Sequence, residues 1–321
     1  MDLIYTNNKR VDLGILSAYS LDLSFGADEN DYEMTLGENE PALEFGAFVY
    51  SEGTEYGGIV DGMKTGTNEN TITYSGRTWH GILNSKVIEP DAGEAYYIVS
   101  GDAHAILSAL IARLGLSGLF TVEESASAIT VKSYKFNRYC KAYDGICKML
   151  KNSGAKLQMK WEKRSVVLSV VPVVDYSNAP IDGDIADLSV EQYKNKVNHL
   201  ICLGSGELAE REIIHLYVNQ FGKIGDVQYY TGLDEVTDVY DYSNVQSAEE
   251  LRESAIDHFE KLLDIDKADI SIPESMDLIY DIGDFVGASE TRSKINVKAA
   301  VTQKIVKIKN GAISTEYKTG G

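Results

Sequence analysis

From Tyr19 the chain alternates strictly: Tyr19, Leu21, Leu23 and Phe25 are interleaved with Ser20, Asp22 and Ser24, and Met34 and Leu36 resume the pattern beyond the polar stretch Ala27–Asp31. A period of two puts every second side chain on one face of a strand, so residues 1–92 are predicted to be β structure. Phe45–Tyr50, Gly58–Met63 and Thr71–Tyr74 read as further short strands. Turns containing Gly separate them every ~8–12 residues, the spacing of a barrel or sandwich and not of βαβ units.

The period changes near residue 93. Ile106, Leu107, Leu110, Ile111 and Leu114 recur at helical spacing, with Asp102 placed to cap the start and Gly115 to stop the end. A strand over Ile129–Phe136 follows, then a second helix carrying Tyr143, Ile146, Cys147 and Leu150 and ending before Gly154. Leu157, Met159 and Trp161 alternate again, and the polar turn Glu162–Ser165 leads into Val166-Val167-Leu168. Residues 93–178 therefore read as a compact helix-plus-hairpin unit of α/β type.

Residues 179–321 return to β structure. Val197–Leu203, Ile213–Val218 and Val227–Tyr230 are strand-like. Ser247-Ala248-Glu249-Glu250 is a capping box, opening a helix over about 247–263 with the stripe Leu251, Ala255, Phe259 and Leu262. Ile295, Val297, Ala299 and Val301 alternate, and the phase shifts before Val306 and Ile308, which predicts a bulge or corner. Asn310-Gly311 is the strongest hairpin signal in the chain, with Thr315 and Tyr317 on the returning strand. The expected fold class is α+β: two β-barrel-like tube domains at 1–92 and 179–321, an α/β insert at 93–178 between them, and a helix inserted in the second barrel.

Charge follows the same boundaries. The chain carries a net −19, but residues 93–178 hold 11 Lys+Arg against 7 Asp+Glu, a net of +4, whereas 1–92 carry −11 and 179–321 carry −12. So acidic a chain is a poor clamp for nucleic acid or for an anionic membrane surface, both of which need a positive footprint. No stretch reaches the ~18 apolar residues of a membrane-spanning helix, and Ile106–Phe120 is interrupted by Arg113. The N-terminus Met1-Asp2-Leu3-Ile4-Tyr5 has no basic region and no apolar signal core, which places the chain in the cytoplasm at synthesis.

The residues offer little chemistry. Cys140, Cys147 and Cys202 form no CxxC and have no histidine cluster beside them, so they read as small buried hydrophobes without disulfide or zinc. Glu207 and Glu210 form the one carboxylate pair worth weighing as a general acid and base, but no His, Cys or Ser is spaced to support them, and a polar turn between strands is the simpler reading. Gly204-Ser205-Gly206 lacks the third glycine of a dinucleotide loop. Asp182-Gly183-Asp184 with Asp187, and Asp28–Asp31, match a calcium loop only loosely and read as solvated acidic loops. His80, His104, His199, His215 and His258 include no two close enough in sequence to pair as ligands; His199 and His215 fall in apolar strands as packed or solvent-edge residues. Gly76–Gly81 puts Arg77, Trp79 and His80 together. If it is a strand, Arg77 and Trp79 share one face, the makings of a sugar-binding or subunit-contact surface. No catalytic residue, metal ligand or cofactor is expected.

Several stretches together resemble a known family. They are Asn8–Gly14 with Asp22–Gly26, Asn30–Met34, Gly76–Leu83, Asn198–Leu208 with Glu210 and Arg211, Ile282–Gly287, and Val301–Val306 through to Asn310-Gly311. As an ordered set this is similar to the baseplate-hub proteins of tailed bacteriophages and phage-derived contractile particles, and to the N-terminal hub part of tail-associated lysins. The resemblance implies two tube-forming β-barrels per chain and a homotrimer whose pseudo-sixfold ring joins the sixfold tail tube, or a distal tail protein, to a threefold spike, fibre or tape-measure protein. DNA passes through without specific binding. Assembly in the host cytoplasm and residence in the virion baseplate follow. Lysin-type relatives carry a hydrolase after the hub, for which the ~10 residues between the Asn310-Gly311 hairpin and Gly321 leave no room, so a structural role without enzymatic activity is expected. A cell-wall-degrading enzyme and a carbohydrate-binding module are the alternatives. The residues expected at interfaces are Arg77, Trp79, Glu207, Glu210 and Arg211.

Overall fold

The computed structural model describes residues 1–66, 70–178, 181–182, 187–191, 193, 196–245, 247–263, 267–273, 280–290, 295–309 and 311–320. The acidic loop around Asp184 and the hairpin residue Asn310 lie outside the described residues. The fold is α+β, rich in sheet with four α-helices among the described residues: α1 Trp79–Asn84, α2 Ala103–Arg113, α3 Ala142–Lys151 and α4 Ala248–Leu263. Chain contacts divide it into two compact units. The first joins Met1–Leu188 to Asp269–Thr319, and the second is built on Ser189–Ala268.

The largest sheet of the first unit is shared by both ends of the sequence. The strand Ile295–Lys309 pairs through its first half with Phe285–Glu290 and through its second half with Tyr19–Gly26. Beyond Tyr19–Gly26 the order continues through Asp31–Leu36, Ile72–Arg77 and Gly62–Thr65. This is an open order, and no closed barrel occurs among the described residues. The alternation predicted around Tyr19 holds, since Leu21, Leu23 and Phe25 are buried and Asp22 is exposed.

The predicted phase shift falls at Gln303 and Lys304, which are buried side by side; Ala299 and Val301 are buried before it, Val306 and Ile308 after it. Two polar side chains tolerate this because each has partners in the core. Gln303 Nε2 donates to Ser24 Oγ (2.6 Å) and to the Glu29 carbonyl (2.8 Å), and its Oε1 accepts from the Asp28 N–H (3.0 Å). Lys304 Nζ donates to Glu55 Oε1 at 2.6 Å among the rings of Phe25, Tyr56 and Tyr317. Gly26, at φ +141°, makes the shift possible: a Cβ there would stand 2.2 Å from the Thr302 carbonyl oxygen.

The α/β portion follows the predicted order. Asp102 caps α2 by accepting from the N–H groups of His104 (3.0 Å) and Ala105 (3.2 Å). The strands Ala155–Glu162 and Ser165–Pro172 form a hairpin, and Phe120–Val122 pairs in parallel with the second. Leu107 and Leu110 of α2 and Ile146, Met149 and Leu150 of α3 share one apolar core with Phe120, Trp161 and Leu168. Each such side chain contributes about 1.5–3 kcal/mol by leaving water.

The second unit is a four-stranded sheet in the order Ile224–Gly225, Ile213–Val218, His199–Leu203, Thr237–Asp241. The predicted capping serine is in place, with Ser247 Oγ accepting from the Glu250 N–H at 3.2 Å. Leu251, Ala255 and Phe259 of α4 pack on Leu200, Cys202, Leu216 and Val218, which cover one face of the sheet. One expectation is corrected. Val227–Tyr230 is no strand, and Val227 is exposed. The strand is instead Thr237–Asp241, whose Asp and Thr content hid it because only its Tyr240 packs against the α4 core.

Candidate functional site

The predicted interface residues divide between the two units. Arg77 ends the strand Ile72–Arg77 and forms a two-pronged ion pair with Asp61, Nε to Oδ2 at 2.7 Å and Nη2 to Oδ1 at 2.8 Å. The hydrogen bonds from Arg77 hold the Asp61 carboxyl below its ordinary pKa. The pair is part-exposed, in a shallow acidic depression with Asp22, Glu29, Asp31 and Glu33.

Trp79 is not its neighbour on a strand face. Thr78 caps a helix, its side chain accepting from the Gly81 N–H at 3.2 Å, and α1 begins at Trp79. The indole is fully buried, stacked on Trp161 with ring centroids 5.1 Å apart and edge-on to Phe48 at 5.4 Å. No sugar ring reaches it. The strand reading of Gly76–Gly81 fails because it weighed side-chain types, whereas the capping threonine decides where the strand stops. His80 is buried too, stacked on Phe25 at 4.3 Å. Burial, reinforced by the charge of Lys304, pushes its pKa down to about 3.

Glu207, Glu210 and Arg211 share one loop of the second unit, between His199–Leu203 and Ile213–Val218. Glu207 and Glu210 are exposed on either side of Leu208, itself 92% exposed and at φ +51°. Arg211 turns inward, donating from Nε to the Gly204 carbonyl (3.0 Å) and pairing with Asp241. The loop is a polar turn held by Arg211. Among the cysteines, burial pushes the Cys147 thiol up to about 12 and the Cys202 thiol up to about 11, leaving both protonated and unreactive at neutral pH.

The face of the second unit's sheet turned away from α4 was missed by the sequence reading. Register builds it in three rows: Thr237, His199 and Tyr217; Val239, Ile201 and His215; Asp241, Leu203 and Ile213. Ile213 and Val239 are each 52% exposed, and Ile201 and Leu203 are only half-buried. Phe221, Val227 and Leu233, on the loops of the same unit, are more exposed still. Exposed apolar side chains grouped on one face are a feature of surfaces that bind other molecules. The alternation of Ile201, Leu203 and Ile213 with residues packed on α4 was legible, but which of the two faces a helix covers is not written in a period of two.

A side-chain cluster spans the first two of those rows. His199 Nδ1 donates to Glu235 Oε1 at 2.7 Å, and His199 Nε2 lies 2.8 Å from His215 Nδ1. Tyr217 stacks on His199 at 4.4 Å, and Gln228 Nε2 donates to the same Glu235 oxygen at 2.9 Å. Residues 16 apart in sequence meet because the hairpin sets His215 diagonally across from His199. Among the described residues no group of three or more His, Cys, Asp or Glu is arranged to hold a metal ion, and no helix is long and apolar enough to cross a membrane.

No protein-family model matches the sequence, and no curated protein matches it. Solved structures do match along the whole chain. A tail protein from Neisseria meningitidis MC58 aligns with a TM-score of 0.59 at 12% identity, covering 100% of this chain and 96% of that one. The 43 kDa tail protein of prophage MuSo2 from Shewanella oneidensis aligns at 0.61 and 10% identity, covering 99% and 98%. A chain of the phage P2 baseplate, in its activated conformation with Ca, aligns at 0.52 and 12% identity, covering 100% and 99%. At such identities the likeness is one of fold, and the fold is that of phage tail and baseplate proteins.

Proposed function

We propose that this chain is a structural subunit of a phage-type tail baseplate, working by assembly and not by catalysis. The observation that carries the reading is the end-to-end fold likeness, which spans 96% or more of each tail or baseplate chain described above. Within this proposal the protein is a hub: a homotrimer adapting the sixfold tail tube, or a distal tail protein, to a threefold spike, fibre or tape-measure protein, resident in the virion baseplate after assembly in the host cytoplasm. Two tube-forming barrels per chain, drawn from 1–92 and 179–321 around the 93–178 insert, supply the pseudo-sixfold ring.

Two surfaces support it. The exposed apolar face of the second unit is suited to burial against another subunit, since interface cores are depleted of charge and rich in aliphatic and aromatic groups. The acidic depression around Asp22, Asp31 and Glu33 is suited to a channel wall, because negative charge repels DNA and lets it slide. The test is light scattering of the purified chain, alone and with its spike partner, with electron microscopy of the assembled particle. A threefold assembly with an acidic lumen is expected. A strict monomer that joins neither tube nor spike overturns the proposal, and a basic lumen overturns its channel part.

A further inference from the structure

We propose that the Leu208 loop of one copy of this chain seats in a cleft beside Arg10 of a second copy, as a knob in a socket; the inference rests on the homotrimer reading above and names the contact that would close it. The socket lies on the first unit. Phe48, Ile82, Leu116 and Leu119 line a cleft of about 160 Å³ with Arg10 and Arg77 at its rim, room for one aliphatic side chain. The Arg10 guanidinium lies over the Phe48 ring, 4.9 Å from its centroid, and donates from Nη1 to the Gly118 carbonyl at 3.1 Å. Arg77 is committed to Asp61, whereas Arg10 has no carboxylate partner among the described residues. An exposed cation fixed beside an apolar hollow fits an aliphatic side chain with a carboxylate next to it.

The knob lies on the second unit. Leu208 is 92% exposed between Glu207 and Glu210, whose carboxylates have no partner among the described residues. The loop is held by its own bonds: the Glu210 N–H donates to the Glu207 carbonyl at 3.0 Å, the Glu212 N–H to the Ser205 carbonyl at 2.9 Å, and Arg211 Nε to the Gly204 carbonyl. A loop already ordered loses little freedom on docking. Charge singles it out from the other apolar tips of the unit. Asp226, beside Val227, is held by Arg252 at 2.7 and 2.9 Å. Glu235, near Leu233, is held by His199 and Gln228. Phe221 stands two residues from Lys223. Leu208 carries unpaired negative charge on both sides, the complement of Arg10. A loop of one copy entering a different surface of the next is a heterologous contact, and repeated head to tail it closes a ring.

The test is sedimentation of the full chain and its charge-reversed variants. Arg10→Glu alone, and Glu207→Lys together with Glu210→Lys, should each weaken self-association by roughly tenfold or more, as should Leu208→Ser. The chain carrying all three charge reversals should recover it, which a folding defect would not do. Leu116→Cys combined with Leu208→Cys, mildly oxidised, should give disulfide-linked dimers and trimers on a non-reducing gel. Self-association unchanged by Arg10→Glu, no recovery in the combined variant, or a cross-link confined to single chains overturns this contact and leaves the hub reading standing. A wild type that stays monomeric, alone and with its tail partners, overturns both.

Discussion

Asp284 turns both carboxylate oxygens onto the ammonium of Lys156, at 2.6 and 2.7 Å, with the two residues 128 apart in sequence and both buried. The same carboxylate accepts from the N–H groups of Val174 (2.8 Å) and Asp281 (3.1 Å). Asp281 also reaches Lys156, at 2.8 Å. Burial disfavours the charge of Asp281, but hydrogen bonds from Lys156 and Gln158 outweigh it and hold its carboxyl below the ordinary range. This knot ties the α/β portion to the C-terminal strands within the first unit.

Lys156→Met should therefore cost about 3–5 kcal/mol, since it strands a buried charge. Lys156→Met combined with Asp284→Asn should cost less than the sum of the two single changes. Urea denaturation of the four proteins checks this, and strict additivity would contradict the coupling.

Trp79→Ala should destabilise by about 3–5 kcal/mol, the usual cost of emptying a buried aromatic site. Arg77→Ala, which breaks a part-exposed ion pair, should cost no more than about 1 kcal/mol. Thermal melts distinguish two neighbours that the sequence presents as equals.

His80 makes stability depend on pH. Folded, it stays neutral down to about 3; unfolded, it protonates near the ordinary ~6.5. Between those values the unfolded chain binds the extra proton, so stability is full above the unfolded pKa and falls as pH drops, by up to about 1.4 kcal/mol per pH unit from this group. His80→Phe keeps a ring against Phe25 and should flatten the slope between pH 6.5 and 4, as read by denaturation at a series of pH values.

Phe221→Asp and Leu233→Asp change side chains that are 83% and 101% exposed. Folding stability should move by less than about 0.5 kcal/mol. Association with other copies or with tail partners, followed by light scattering, should weaken by tenfold or more. Unaltered association would remove the loops of the second unit from the interface.

The sequence by itself determined the local elements. Periods of two and 3.6, Asp102, Ser247 and the glycines after the helices mark most strands and all but one of the α-helices described, because face alternation and end-capping are chosen within a few residues. α1 escaped because it is six residues long and its cap, Thr78, sits in a run that alternates by type. Partners were decided only by the tertiary structure. Alternation in Ile295–Lys309 says that one face is buried, and it says nothing of Tyr19–Gly26 being the strand alongside. His199 and His215 read as solitary until the hairpin register set them 2.8 Å apart. Lys304 looks like any surface lysine until Glu55, 249 residues away, meets it in the core. The physical reason is the same in each case: propensity acts over neighbours in the chain, whereas pairing of strands and of charges is settled by which distant surfaces exclude water from one another.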